Sequence, residues 1–262
     1  MTVTSSRAEL VVVGTGYRAI GDLTLEAKAC IEQADTVLCL VGDPMVTGYL
    51  ERLNASVRTL DGFYAKGKRR QESYEEMVHE ILAEVRQDRL VCCALYGHPG
   101  VFAYMGHEAV RRARAEAIPA RMLAGSSAED WLFADLGLDP GTHGCQSFEA
   151  TDFLMRHRVF DPTSLLVLWQ VGVIGMRDRD PQFDACPGTA LLVERLVEAY
   201  GSDHQVTVYE ASPYVMTPPR IVPVPLAKLP GVQFSACSTL VVPPLPARPV
   251  DREIMARLGL TA

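Results

Sequence analysis

The chain has 262 residues, 48% of them hydrophobic, enough to bury one large core or two small ones. Its formal net charge of −7 argues against a nucleic-acid partner, because phosphate-backbone binders present a basic face. Residues 1–9 lack an apolar signal core, no stretch reaches the roughly 20 apolar residues of a membrane span, and the seven cysteines are scattered without a C-x-x-C pair. The expectation is a reduced, cytoplasmic protein with no membrane partner and no metal.

In chain order, Leu10–Val13 reads as a buried strand, followed by a helix over Thr24–Ala34 with Thr24 as N-cap and Glu26 in the first turn. Thr36–Leu40 is a second strand, Pro44–Leu53 a helix and Val57–Leu60 a short strand. Ser73 can cap a long helix over Tyr74–Arg86, whose apolar residues Met77, Val78, Ile81, Leu82 and Val85 recur at helical spacing. Leu90–Leu95 is the next strand, with a helix at Glu108–Glu116 after it. This alternation predicts a parallel sheet with helices on both faces.

The texture changes after Leu123, and the domains are set at 1–123 and 124–262. Ser127 caps a helix over Ala128–Leu136. Strands are expected near Cys145–Phe148, Ser164–Gln170, Gln205–Glu210 and Ser238–Val242, with a helix over Thr189–Tyr200. Prolines crowd Pro213 to Pro249, which limits that region to edge strands and loops.

Two strands end in glycine turns. Gly14-Thr15-Gly16 follows the first, and Tyr96-Gly97-His98-Pro99-Gly100 follows the strand ending at Leu95, so backbone can approach a flat polar cofactor closely at Gly14, Gly16 and Gly97. Gly14 to Ala19 fits G-x-G-x-x-A in form. A dinucleotide site, however, needs its helix to open on the glycines and an acid after the second strand. Here the helix starts only at Thr24, Asp35 precedes that strand and Asp43 falls late, so a nicotinamide cofactor is disfavoured. Tyr64, Arg70 and Tyr74 form a third group. Residues 70 and 74 share a face if the helix begins somewhat before Ser73, and a guanidinium next to a phenol favours the phenolate. The alternative for that segment is a solvated basic loop with two partly buried tyrosines. Ser126-Ser127-Ala128 lacks the G-x-S-x-G frame of a nucleophile, Glu149, Asp152, Glu129 and Asp130 can form carboxylate pairs but spacing alone does not make them catalytic, and Trp131 and Trp169 read as core.

Taken in order, Val12 to Gly16, Leu23 to Ala27, Tyr96 to Phe102 and Ser126 to Asp130 resemble the tetrapyrrole methylases. Ala134 to Pro140, Phe148 to Asp152, Trp169 to Gly175 and Asp251 to Ile254 narrow the resemblance to the borosin peptide backbone N-methyltransferases. What the resemblance implies is a two-domain α/β, class III methyltransferase fold: an N-terminal parallel sheet flanked by helices and a C-terminal α/β domain with a mixed sheet. It implies S-adenosylmethionine as cofactor, with S-adenosylhomocysteine as product, held between the domains. The implied contacts are Tyr96, His98, Val101 and Phe102, together with Ser127, Ala128, Gln170, Ala211, Ser238 and Thr239. Tyr64, Arg70 and Tyr74 match the family's catalytic Tyr-x5-Arg-x3-Tyr spacing, which decides against the solvated loop. Asp61 departs from it, standing where fungal members carry a further tyrosine. The resemblance also implies a homodimer acting on a precursor peptide. Because the chain stops at Ala262, soon after Asp251-Arg252-Glu253-Ile254, a separate precursor is expected rather than a fused one. A methyltransferase of a tetrapyrrole or other small molecule is the alternative; it shares fold and cofactor but does not require the Tyr64–Arg70–Tyr74 arrangement.

Overall fold

The structure, a computed structural model, describes residues 7–65, 67–87, 89–176 and 187–260. It divides into two compact units. One runs to Leu136 and includes Met176 and Ala211–Pro219; the other comprises Gly137–Gly175, the stretch from 187 to Glu210, and the chain from Arg220.

In the first unit β1 (Glu9–Gly14), β2 (Thr36–Leu40), β3 (Val57–Thr59), β4 (Leu90–Leu95) and β5 (Ala120–Met122) form an all-parallel sheet in the order β3-β2-β4-β1-β5. Successive strand side chains point to opposite faces, and both faces are apolar. Leu10, Val12, Leu38, Val91 and Cys93 pack beneath α3 (Arg70–Val85) and α4 (Tyr104–Ala115). Val11, Val13, Val37, Cys39, Cys92 and Ala94 pack against α1 (Leu25–Gln33) and α2 (Pro44–Leu53). Such two-sided burial requires the near-continuous apolar runs seen in the sequence. It also keeps the thiols inert, since desolvation pushes Cys39 up to about 11 and Cys93 up to about 12.

The helix starts follow local chemistry. Thr24 Oγ1 accepts from Ala27 N at 3.1 Å, as expected of an N-cap, and the Asp43 carboxylate caps α2 from Met45 N at 2.7 Å. Ser73 is no cap. α3 begins three residues earlier at Arg70, and the Ser73 hydroxyl donates instead to the Phe63 carbonyl at 3.0 Å, with Lys68 Nζ donating to the same oxygen at 3.1 Å. α4 likewise begins at Tyr104, four residues before the expected start, and the three-residue strand β5 was not foreseen. α5 (Ala128–Leu136) belongs to the first unit, beyond the expected division at 123, because Trp131 on it donates from Nε1 to Asp22 at 2.7 Å.

The second unit holds a mixed sheet, in the order β6-β7-β10-β8-β9, of β6 (Cys145–Glu149), β7 (Leu165–Trp169), β8 (Gln205–Glu210), β9 (Arg220–Pro225) and β10 (Thr239–Val242). Only the β6–β7 pair is parallel. β9, with Pro223 and Pro225, lies at the edge, where a residue without an N–H is tolerated. Short helices α6 (Pro140–His143), α7 (Ala150–Met155) and α9 (Arg252–Arg257) accompany α8 (Pro187–Tyr200). Phe153, Leu192 and Leu196 from α7 and α8 close over Leu166, Leu168, Val206, Val208 and Leu240. Glu149 caps α7 through Thr151 N and Asp152 N, and Asp152 pairs with Arg156 and Arg158, so both carboxylates are structural.

Candidate active site

The carboxyl ends of β1 and β4 carry the two glycine turns, and the structure joins them. Gly97 N donates to Gly16 O at 2.9 Å, Gly16 N donates to Gly97 O at 3.3 Å, and Thr15 N reaches Leu95 O at 2.8 Å. Gly97 has φ +67° and Gly16 φ +79°, a region that favours glycine. Gly14 answers to a different constraint: a Cβ there would lie 2.3 Å from Gly97 O and 2.8 Å from Pro99 Cδ. His98 turns back on its own loop, its Nδ1 accepting from Gly100 N at 3.0 Å, while His107 Nε2 on α4 meets Gly100 O at 2.8 Å. Phe102 is held at φ +49°, uncommon for a bulky residue, and leaves about half of its surface exposed beside the exposed Tyr96 and Val101.

These residues face an open hollow of about 410 Å³ lined by Leu40, Tyr64, Tyr74, Leu95, Tyr96, Val101, Phe102, Ala103, Tyr104 and Met105. Tyr64 reaches it from the connection after β3, and Tyr74 from the second turn of α3. The two rings meet edge to face, with centroids 6.3 Å apart and planes at 77°. Among the described residues the Tyr74 hydroxyl has no hydrogen-bond partner. Arg70 opens α3, so it does share a helix with Tyr74 at i, i+4. Its Nη2 lies 3.9 Å from Met176 Sδ, and it has no acidic partner among the described residues.

Tyr104 was not singled out in the sequence, because α4 was expected to start after it. Its ring lies 6.3 Å from that of Tyr74, and its hydroxyl donates to Glu75 at 2.5 Å. That bond raises the Tyr104 phenol above its usual value. Tyr104 and Arg112, at 2.6 Å, in turn hold the Glu75 carboxyl below its own.

The remaining expected residues fall in separate places. Ser127 is a helix cap: its Oγ accepts from Glu129 N at 3.2 Å and Asp130 N at 3.4 Å, and its N–H and O–H both donate to the Asp130 carboxylate. Ala128 starts α5 beside it. Ala211 accepts from Tyr17 Oη at 3.1 Å, and Pro213 O accepts from Ala19 N at 2.8 Å. On the second unit, Gln170 takes the left-handed conformation at φ +60° directly after β7, and Thr239 opens β10. Ser238 is fully buried and donates to Glu210 at 2.5 Å. Burial pushes the Glu210 carboxyl up, but hydrogen bonds from Ser238 and Ser235 and the charge of Arg220 outweigh it and hold the group below its usual value. Trp169 is core, with Nε1 donating to Ser147 Oγ at 2.5 Å.

Trp131, expected in the core, is instead only half-buried. The Arg18 guanidinium lies over its ring, 3.4 Å from the centroid, and Asp22 accepts from Trp131 Nε1, Tyr17 N (3.1 Å) and Arg18 N (2.8 Å). Sequence spacing cannot reveal a contact between residues 18 and 131. Among the described residues there is no cluster of His, Cys, Asp or Glu that could hold a metal ion, and no helix is long and apolar enough to cross a membrane.

The profile of the Tetrapyrrole (Corrin/Porphyrin) Methylases matches residues 9–214. The chain is 42% identical over 257 residues to a methyltransferase/type III borosin cyclic peptide precursor of Anomoporia bombycina, covering 96% of this chain and 30% of that protein. It is 44% identical over 204 residues to the dendrothelin A precursor methyltransferase of Dendrothele bispora, covering 78% and 49%. It is 37% identical over 264 residues to the omphalotin A precursor methyltransferase of Omphalotus olearius, covering 99% and 63%. The chain thus spans between 30% and 63% of the length of these relatives. Among solved structures, uroporphyrin-III-C-methyltransferase from Thermus thermophilus superposes with a TM-score of 0.64 at 21% identity, over 90% of this chain and 92% of that one. Cobalt precorrin-4 methyltransferase gives 0.62 at 17% identity, over 91% and 95%.

Proposed function

The chain belongs to the tetrapyrrole (corrin/porphyrin) methylase family, and we propose that it methylates backbone amide nitrogens of a precursor peptide with S-adenosylmethionine. The observation that carries this reading is the shared hollow, where Tyr64 and Tyr74 meet Tyr96, Val101 and Phe102 of the turn after β4. The borosin precursor relatives support the peptide as acceptor.

The residues present fit the cofactor. A Cβ on Gly97 would meet nothing within 4 Å, so the turn presents open backbone there, while Gly14 and Gly16 let the two turns close against Gly97 O and Asp22; beside them a buried guanidinium nitrogen on Arg18 is unpaired among the described residues. The proposed contacts on the first unit are Gly14, Gly16, Tyr96, Gly97, His98, Val101, Phe102, Ser127, Ala128 and Ala211.

When bound, the cofactor supplies an electrophilic methyl on a sulfonium. The chemical difficulty therefore lies with the amide, whose nitrogen lone pair is delocalised into the carbonyl. As the nitrogen–methyl bond forms, the amide proton must leave. We assign Tyr74 or Tyr64 as its acceptor and the other as hydrogen-bond donor to the amide oxygen. Arg70, free of acidic partners among the described residues, supports the negative charge that develops on the amide. The aromatic lining of the hollow would exclude water from the bound amide and hold its nitrogen toward the methyl group that the cofactor would supply.

A homodimer and a separate precursor complete the proposal. The test is co-expression with each small protein whose gene lies near that of the enzyme, followed by fragmentation mass spectrometry of both chains and light scattering of the enzyme. Increments of one methylene on backbone amides of the small protein are expected. An unmodified small protein, with methyl groups found only on a small molecule or on the enzyme chain itself, overturns the assigned acceptor.

A further inference from the structure

The Arg18 guanidinium stacks on the Trp131 ring, yet the described residues offer its charge no hydrogen bond. It has no acidic partner among them, and its Nε is buried without any hydrogen-bond partner. A buried donor left unpaired costs free energy, and an orphan of this kind points to a group that the protein alone does not contain.

The cation is also held in place. Asp22 accepts from Arg18 N at 2.8 Å and from Trp131 Nε1 at 2.7 Å, so one carboxylate fixes both the backbone of the arginine and the ring on which its guanidinium lies. A Cβ on Gly16 would fall 2.0 Å from Asp22 Cβ, so the loop closes on itself with no room for slack.

Three segments assigned to the cofactor converge on this loop. Gly16 exchanges two backbone hydrogen bonds with Gly97, and Tyr17 and Ala19, on either side of Arg18, bond to Ala211 and Pro213. Trp131 lies one helical turn beyond Ala128, on the same face of α5. A planar guanidinium with free Nη groups suits bidentate recognition of a carboxylate.

We propose that Arg18 binds the carboxylate of the cofactor's methionyl group. This rests on the reading of S-adenosylmethionine as cofactor. A carboxylate on the acceptor has the same chemistry, and the experiment separates the two.

The probes are S-adenosylhomocysteine and its decarboxylated analogue, titrated calorimetrically into the wild type, Arg18→Met and Arg18→Lys. The wild type is expected to bind S-adenosylhomocysteine roughly 10- to 100-fold more tightly than the analogue, the range for one charged hydrogen-bonded pair. Arg18→Met should lose that preference while binding the analogue as the wild type does. Arg18→Lys, which keeps the charge without the fork, should fall between. The wild-type comparison and Arg18→Lys decide the matter even if Arg18→Met does not fold. Absence of a preference in the wild type, or its survival in Arg18→Met, overturns the proposal. Unchanged S-adenosylhomocysteine affinity in Arg18→Met combined with lost methyl transfer also overturns it, in favour of an acceptor carboxylate. Failure of the wild type to bind either probe instead brings down the cofactor reading on which the proposal stands.

Discussion

Gly14→Ala isolates the close approach between the two glycine turns. Gly14 is not among the residues with positive φ, so its backbone accepts alanine; only the neighbouring chain forbids it. The new Cβ would sit 2.3 Å from Gly97 O, where ordinary contact begins at 3.4 Å, so β1 and the turn after β4 must part by about 1 Å. The obstacle is backbone and the ring of Pro99, neither of which can swing aside. Overpacking of this kind costs about 1–3 kcal/mol. For a protein of this size that corresponds to a melting temperature lower by roughly 2–12 °C. Because the displaced turn carries Tyr96, Gly97 and His98, the affinity for S-adenosylhomocysteine should drop by about tenfold or more, the loss of one or more hydrogen bonds. Gly48→Ala is the control. Gly48 lies inside α2, a Cβ there meets nothing within 4 Å, and removing a helical glycine should add about 0.5–1 kcal/mol of stability with binding unchanged. Calorimetric melting and ligand titration of both variants supply the readouts. A Gly14→Ala protein that melts and binds like the wild type would refute the argument that the two turns are built on this contact.

Three further outcomes are expected. Tyr74→Phe and Arg70→Ala should each lower methyl transfer by about 100-fold or more while retaining cofactor affinity, as measured with labelled S-adenosylmethionine; normal turnover in both variants sinks the catalytic assignment. Asp22→Ala leaves Trp131 Nε1 and the backbone N–H groups of Tyr17 and Arg18 without their acceptor, and should cost about 2–4 kcal/mol in urea denaturation, with a loss under 1 kcal/mol counting against Asp22 as the organiser of this loop. Glu108 is hydrogen-bonded to Arg111 and Arg112, which lower its carboxyl to about 2. Because the folded value is depressed, its contribution to stability is fully present above the unfolded value near 4.5 and is lost as pH falls through about 2; a carboxyl titration by NMR with a midpoint near 4.5 would contradict this.

The sequence by itself determined the frame. Apolar runs at Leu10–Val13, Thr36–Leu40 and Leu90–Leu95 dictate strands buried on both faces, and the 3.6-residue recurrence through Met77, Ile81 and Val85 dictates the helix that covers them. The glycine turns were legible for the same reason, since close backbone approach and positive φ admit almost nothing else. Tyr64 and Tyr74 were found by motif, and their meeting in one hollow depends on α3 starting at Arg70. Local signals favoured a start at Ser73, a good capping residue, but tertiary structure gave its hydroxyl to the Phe63 carbonyl. The start of α4 at Tyr104 was hidden in the same way, because its first turn is fixed by an acid on another helix, Glu75. The contact of Arg18 with Trp131, more than a hundred residues away, had no signature in the chain. Periodicity and capping are properties of neighbours in sequence, whereas a cation stacked on a distant ring exists only once the fold has brought the two together.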